Sequence, residues 1–424
     1  VNWLYARHHG ASFYLRFDDT DAERSKVEYE DQIIKDLAWL GLSYEKTFRQ
    51  SERLAIYAQA ANKLKEIGRL YPCYETKNEL DFKRKRMLSQ GRPPIYDRAA
   101  LKLTQEQITA YEQEGRKPHW RFLLNAEEIV WNDLAHGPLS FQGANLSDPI
   151  LIREGGTPVF TLSGMVDDME MGITHIIRGN DHITNTSIQI QILEALGGNA
   201  QDFHFGHIPL LMDEHGASLS KRIGSLSLLE LRAEDFEPLA IVNYLAKLGL
   251  SEELPLCFSL DELAKKYDLQ KLSKASPKFS LIDMERTNAD ILHKMPYAQV
   301  EDNLKAHGYS GVREEFWETV KGNLTKFKDL KPYLTICFGE ISPIIDDKDY
   351  MAQAIAALPP EPWTDMTWEE WTSNLKQLTG RKGKELFMPL RHALTGEGHG
   401  PEMKKFLPFI GYQKAKRRLG GEKA

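Results

Sequence analysis

Cysteine is scarce in this 424-residue chain: Cys73, Cys257 and Cys337 stand far apart, too few and too scattered for a disulfide framework or a four-thiolate metal cluster. They read as buried free thiols. Long apolar runs are missing as well. No stretch approaches the roughly 18 residues of a membrane-spanning helix and none reads as a secretory leader, so a cytoplasmic location with no membrane partner is expected. Charge of one sign is in no large excess. The formal net charge of −7 argues weakly against nucleic-acid binding if taken alone. An opening methionine is lacking too. Val1 is followed by Asn2-Trp3-Leu4-Tyr5-Ala6-Arg7, which reads as the end of a helix, so an upstream segment is expected to be absent.

What is present describes folded protein: 42% of residues are hydrophobic and 27% charged, and this length calls for two to four domains rather than one core. Local charge says more than the total. Residues 401–424 hold Lys404, Lys405, Lys414, Lys416, Arg417, Arg418 and Lys423 against Glu402 and Glu422. A second positive run is Lys83-Arg84-Lys85-Arg86. Each fits either an RNA-facing patch or an ordinary solvated helix face.

Residues 12–17 alternate, with Phe13, Leu15 and Phe17 on one face and Tyr14 and Arg16 on the other, as in a short strand. Asp18-Asp19-Thr20-Asp21 ends it. Thr20 with Glu23 makes a capping-box pattern, and Ile33, Ile34, Leu37 and Leu40 supply the apolar face of a helix running to Gly41. Further strand and helix units follow between 159 and 211: a strand at 173–177, a helix at about 186–196, and a strand at 203–211. Strands alternating with helices predict a parallel sheet covered on both faces. Residues of about 75–158 differ, with a basic helix, the turn Gly91-Arg92-Pro93-Pro94, and short strands at 119–124 and 129–131, and read as an α+β insertion. Beyond Ser225 the pattern is helical nearly throughout, with Pro359-Pro360-Glu361-Pro362 as a joint.

In an open parallel sheet, ligands bind beyond the carboxyl ends of the strands. Three clusters fall there. In Arg16-Phe17-Asp18-Asp19-Thr20-Asp21 a carboxylate can hold an ammonium group; helix capping explains Thr20 and Asp21 but leaves Asp18 without a task. In Ile176-Ile177-Arg178-Gly179-Asn180-Asp181-His182, Arg178 closes an apolar strand and can grip a carboxylate bidentately. A structural pairing of Arg178 with Asp167 or Asp168 is the competing account, and His182 alone reads as a hydrogen-bonded structural histidine. In Ser218-Leu219-Ser220-Lys221-Arg222 a loop presents a lysine beyond a strand, suited to neutralising phosphates in nucleotidyl transfer.

In order and spacing, residues 2–25, 156–196 and 207–222 resemble the glutamyl-tRNA synthetase family. Gly383-Lys384-Glu385-Leu386-Phe387-Met388-Pro389-Leu390-Arg391-His392-Ala393-Leu394-Thr395-Gly396 resembles that family's anticodon-binding end. The resemblance covers essentially the whole chain. It implies an α/β fold: a Rossmann-like parallel-sheet catalytic domain (1–74 and 159–230), an α+β insertion clasping the tRNA acceptor end (75–158), a helical stem-contact region (231–309) and an all-α anticodon-binding domain (310–424). It implies activation of L-glutamate with ATP and Mg2+, then transfer to the 3′ end of tRNA specific for glutamate, glutamine or both, by a monomer. Asp18 falls where an acid holds the substrate's α-amino group, and Arg178 where an arginine binds a substrate carboxylate. Asp181 and His182 match a segment touching ATP, and Leu210 and Leu211 match backbone contacts to adenine. Ser218 to Arg222 match the KMSKS-type loop, with Lys221 stabilising the transferring phosphates and Ser220 in support.

Departures are visible. Ser218 replaces that loop's usual first lysine. Phe160 stands where many relatives have tyrosine and Gly164 where some have asparagine, both at glutamate-contacting positions. Cys73-Tyr74-Glu75 replaces the Cys-x-Cys of zinc-binding relatives, so no zinc is expected. Two other readings stay open: a non-catalytic tRNA-binding paralogue, and a glutamyl-queuosine tRNA-modifying relative that shares only the catalytic half. The His-Ile-Gly-His-type motif and the loop before it are not in the chain. The 424-residue polypeptide is therefore expected to show no ATP–pyrophosphate exchange with tRNA and glutamate, and robust exchange would refute that expectation.

Overall fold

The computed structural model describes residues 1–21, 25–217, 227–309 and 311–424. Contacts divide the chain into two compact units: Val1–Ser220, Ala246–Pro255 and Leu260–Phe279 form one, and Lys221–Leu245, Leu256–Ser259 and Ser280–Ala424 the other.

In the first unit, helix α1 (Asn2–His8) precedes strand β1 (Tyr14–Phe17), helix α2 (Val27–Trp39) and strand β2 (Lys46–Arg49). β1 and β2 are parallel, with Tyr14 opposite Lys46 and Phe17 opposite Arg49. Helix α3 (Leu54–Glu66) follows. The strand is shorter than the alternation of residues 12–17 suggests, and the helix starts later than the Thr20 pattern implies. Its N-cap is Lys26, with no side-chain cap hydrogen bond, while Glu23, the other half of the expected box, lies outside the described residues. Of the expected apolar face Leu40 is buried, but Ile33 is 44% exposed.

Strand β3 (Leu70–Cys73), helix α4 (Lys77–Ser89), helix α5 (Gln105–Gln113), strand β4 (His119–Phe122), the hairpin of β5 (Glu128–Asp133) and β6 (Gly137–Gln142), and strand β7 (Ile150–Ile152) come next. β3, β4 and β7 pair antiparallel in that order. Thr76 with Glu79 and Thr104 with Gln107 form reciprocal capping boxes that start α4 and α5. Asp148 ties this region together: almost fully buried, it accepts from Tyr71 Oη at 2.7 Å, from Arg98 Nε and Nη2 at 2.9 Å, and from the Leu124 N–H at 3.0 Å.

The chain then runs through helix α6 (Phe160–Glu170), strand β8 (His175–Gly179), helix α7 (Ile183–Ala195) and strand β9 (His204–Ile208). β8 and β9 are parallel, with Arg178 opposite His207. The expected parallel sheet is thus present as two separate two-stranded pieces. A cleft of about 620 Å³ is bordered by Tyr14 and Arg16 of β1 and by Ile176 and Arg178 of β8. At its edge Asn2 Nδ2 donates to the Ile177 carbonyl at 3.1 Å. α1 is held from outside by the helix Leu260–Lys266, where His8 Nδ1 lies 2.9 Å from the Ala264 carbonyl.

From residue 227 on, every regular element among the described residues is helical. The second unit packs around fully buried Trp317 and Trp371, whose indole N–H groups donate to the carbonyls of Met295 and Ala354 at 3.0 and 3.1 Å. Burying a large aromatic contributes upwards of about 2 kcal/mol only when such a polar handle is satisfied. Arg418, one of the basic residues of the C-terminal run, is not an exposed charge. It is completely buried and donates to the carbonyls of Ala424, Leu394 and Ile336 at 2.8–2.9 Å. Lys414 likewise donates to the carbonyls of Cys337 and Gly339. The three cysteines are free and buried, and no described helix is long and apolar enough to cross a membrane.

One buried acid in this unit makes stability depend on pH. Glu237 accepts from Asn303 Nδ2 at 2.9 Å and is 8% exposed; burial pushes its carboxyl up from 4.5 to about 7, against the weaker pull of Asn303 and His307. The folded chain therefore holds this proton more tightly than the unfolded chain. The stability it contributes is complete below pH 4.5 and is lost as pH rises through about 7. Glu237→Gln, which keeps an acceptor for Asn303, is expected to stabilise the protein by up to about 3 kcal/mol at pH 8 and to change little at pH 4. Urea titrations at the two pH values check this; equal effects at both would remove titration as the cause.

Candidate functional site

Helix α6 buries every residue from Leu162 to Asp168, and two of these, Asp167 and Asp168, are carboxylates. Such burial is tolerable only where every oxygen is paired. Asp167, with no exposed surface, accepts from Arg53 Nε at 2.7 Å, Tyr57 Oη at 2.9 Å and Gln50 Nε2 at 3.0 Å, and Arg16 Nε lies 3.8 Å away. Asp168 takes Arg16 Nη1 at 2.8 Å. Arg16 also donates from Nε to Asp18 at 2.9 Å, so the strand-end acid is oriented by a guanidinium two residues before it. Burial alone would weaken Arg16 as a cation, but Asp168 and Asp18 outweigh it and raise its pKa. Burial pushes the Asp168 carboxyl upward, with Arg16 opposing; the direct contact keeps the two as an ion pair. The N-cap of α2 is Lys26 rather than a residue of the acidic turn. Asp19 instead accepts from the N–H and Oγ of Ser51 at 2.8 and 2.6 Å.

These pairings decide the competing account of Arg178. Both α6 carboxylates are occupied by other partners, and Arg178 makes an ion pair with neither; Asp168 acts on it only through space. Among the described residues both hydrogen bonds of Arg178 leave from Nη2, to Thr186 Oγ1 and Gln189 Oε1 at 2.6 Å each. Its Nε is buried and unpartnered, and burial lowers its pKa to about 10, which leaves it a cation at neutral pH. A half-buried guanidinium at the cleft edge, with only neutral hydrogen-bond partners, can still take an anion.

Phe160 and Gly164 stand beside it. Phe160 is 37% exposed and lines the same cleft as Arg16, Asp168 and Arg178. A Cβ on Gly164 would come within 3.4 Å of the Phe160 ring and 3.7 Å of Arg16 Nη2, so the glycine leaves room where those groups meet. The Phe160 ring lies 5.8 Å from that of His182, whose Nδ1 is 3.1 Å from Asn185 Nδ2. At the end of β8, a Cβ on Gly179 would fall 2.5 Å from Asp181 Oδ1 and 2.8 Å from Leu210 Cδ2. Asp181 and Leu210 thus converge on one bare stretch of backbone. Leu211 is half-buried next to Leu210. Ser218, Leu219, Ser220, Lys221 and Arg222 lie outside the described residues.

The sequence reading missed Arg16 as the pivot, along with Gln50, Arg53, Tyr57, Thr186 and Gln189. For Arg16 a signal existed, since it alternates away from Phe17 on β1. The others carry none, because their partners come from distant segments.

The model for tRNA synthetases class I (E and Q), catalytic domain, matches residues 1–286, and the model for an anticodon binding domain matches residues 313–421. The chain is 50% identical over 422 residues to glutamate–tRNA ligase 1 of Parvibaculum lavamentivorans, spanning 99% of this chain and 93% of that protein. It is 48% identical over 425 residues to the glutamate–tRNA ligase of Azospirillum brasilense, spanning 100% and 95%. Its fold is similar to the crystal structure of a glutamate tRNA ligase from Elizabethkingia meningosepticum in complex with its amino acid, with a TM-score of 0.83, 25% identity, and coverage of 99% and 94%.

The two kinds of charged residue are expected to respond oppositely to mutation. Asp167→Ala strips a buried carboxylate from Arg53 and Tyr57 and is expected to cost about 3–5 kcal/mol. Arg178→Met removes a desolvated cation that pairs with no anion, and is expected to leave stability unchanged or slightly higher. Guanidinium chloride midpoints of the two variants separate these outcomes; a large loss in Arg178→Met would mean that its role is structural.

Proposed function

The chain belongs to the class I tRNA synthetases of the glutamate and glutamine type, and from this we infer that it works as a glutamate–tRNA ligase. In the first step a carboxylate oxygen of L-glutamate attacks the α-phosphorus of ATP, pyrophosphate leaves, and glutamyl-adenylate forms. In the second, a ribose hydroxyl of the terminal adenosine of tRNA attacks the mixed anhydride, and AMP leaves.

The observation that carries this reading is the state of Arg178, a half-buried cation at a parallel strand end that borders the cleft and pairs with no carboxylate. A substrate carboxylate supplies what it lacks, in bidentate geometry. An uncharged amide in that place would forfeit on the order of 3–5 kcal/mol, hundreds-fold or more in selectivity. Asp18, aligned by Arg16, suits the α-ammonium group, and Phe160 and Gly164 shape the wall between the two charges. Asp181 and Leu210, which close over Gly179, are assigned to ATP by resemblance, together with His182 and Leu211. Lys221, with Ser220, Ser218, Leu219 and Arg222, is assigned by resemblance to neutralise the phosphates. Mg2+ comes with the nucleotide, bound chiefly by phosphate oxygens and water; Asp181, 56% exposed, leaves room for it, and the ion supplies charge neutralisation. Residues 75–158 would clasp the acceptor end, 231–309 the stem, and 310–424 the anticodon. The match of residues 313–421 to an anticodon binding domain counts against the queuosine-modifying reading.

Aminoacylation by the full-length protein is the test. Radiolabelled glutamate is expected to be charged onto purified tRNA for glutamate, for glutamine or for both, with glutamine itself not used. Arg178→Gln is expected to lower kcat/KM for glutamate at least a hundred-fold or so. Retention of tRNA with no charging of any acceptor would favour the non-catalytic paralogue instead.

A further inference from the structure

Behind Arg178 lies a line of buried polar groups that the reaction as described does not use. Thr186 Oγ1, which accepts from Arg178 Nη2, is 2.9 Å from His207 Nε2. The other ring nitrogen, Nδ1, is 2.6 Å from Asp133 Oδ2. Thr186 and His207 have no exposed surface and Asp133 has 2%. Asp133 stands at the end of β5, on the hairpin inserted between the two parallel pairs. It is anchored there by three backbone N–H groups, of Ala135, His136 and His207, at 3.0–3.1 Å. We infer that Asp133, His207 and Thr186 are positioning residues that fix the direction of the Arg178 guanidinium, so that the β5–β6 hairpin takes part in amino-acid recognition. The inference rests on the reading of Arg178 as the carboxylate-binding group.

Proton inventory fixes the Asp133 end of the line. Burial would raise the Asp133 pKa, but the hydrogen bonds from His207 and from the backbone outweigh it and hold the group at about 2, so it is ionised and only accepts. Nδ1 of His207 must then carry a proton. The Thr186 oxygen stands between Arg178 Nη2 and His207 Nε2, and its hydroxyl also lies 3.4 Å from the His182 carbonyl. Arginine only donates. The guanidinium edge bearing Nη2 is locked by Thr186 and Gln189 while Nε stays unpartnered. Packing alone gives no reason for such a line. A buried Asp–His pair is costly relative to apolar residues of the same size, whereas a recognition group must be held to a fraction of an ångström and some 10–20°.

Calorimetric titration of the full-length protein with glutamate, and separately with ATP, tests the line. Thr186→Val and Asp133→Asn are expected to raise the Kd for glutamate by about 10- to 100-fold and to leave that for ATP unchanged. Thr186→Ser, which keeps the hydroxyl, is expected to stay near the parental value. Normal glutamate binding by Thr186→Val and Asp133→Asn, with binding lost in Arg178→Gln, would overturn the relay and spare the reading of Arg178. Unaltered binding in Arg178→Gln would instead remove that reading. Should the Asp133 variant fail to fold, 15N NMR of histidine in the unmodified protein still decides: a His207 ring protonated on Nδ1 supports the relay, and one bare on Nδ1 refutes it.

Discussion

The first unit depends on one electrostatic constraint, the presence of two adjacent carboxylates on the buried face of α6. A carboxylate with no exposed surface is untenable without counter-charges. Asp167 gathers its counter-charges from Arg53 and, at longer range, Arg16, with Tyr57 and Gln50 completing its hydrogen bonds. Since Arg16 belongs to β1 and Tyr57 to α3, satisfying one side chain brings the first parallel pair and α3 into register with α6. The apolar cluster around Tyr57, Leu162, Met165 and Ile192 supplies bulk cohesion, which is non-directional. The ion pairs supply direction.

That arrangement leaves Arg178 without an anion. Arg16 and Arg53 take the carboxylates, and Arg178 has to make do with a threonine hydroxyl and a glutamine amide. Such a group is useful where a ligand completes the pairing, and the position at the end of β8 is the one where open parallel sheets bind ligands.

The basic C-terminal run illustrates the opposite case. Counted along the sequence it resembles an RNA-facing patch, yet Arg418 is buried against three carbonyls and Lys414 donates to two more. Both close the ends of neighbouring helices in the second unit, where carbonyls lack intrahelical partners. Lys404 and Lys405, by contrast, sit in the first turn of the amphipathic helix Met403–Ile410, whose buried face is Met403, Phe406, Leu407 and Ile410. Positive charge in a sequence becomes an RNA contact or an internal brace according to where its helix face points.

By itself the sequence indicated strands β1, β4, β5, β8 and β9 and the class of sheet, though not β2, β3, β6 or β7, and it placed Asp18, Arg178 and Asp181 at or just past strand ends. Period, turn chemistry and strand ends depend on residues a few places apart, so they can be read locally. It also carried the family resemblance, which the matches over the whole chain support. Only the tertiary structure decided that Arg178 pairs with neither α6 acid, that Arg16 bridges Asp18 to Asp168, and that Asp133 reaches Arg178 through His207 and Thr186. Tyr57 and Asp167 are 110 residues apart, and Asp133 and His207 are 74 apart. No local rule relates positions at such separations, because their pairing is chosen by the cost of leaving a charge buried alone, a cost that exists only once the chain has folded around it.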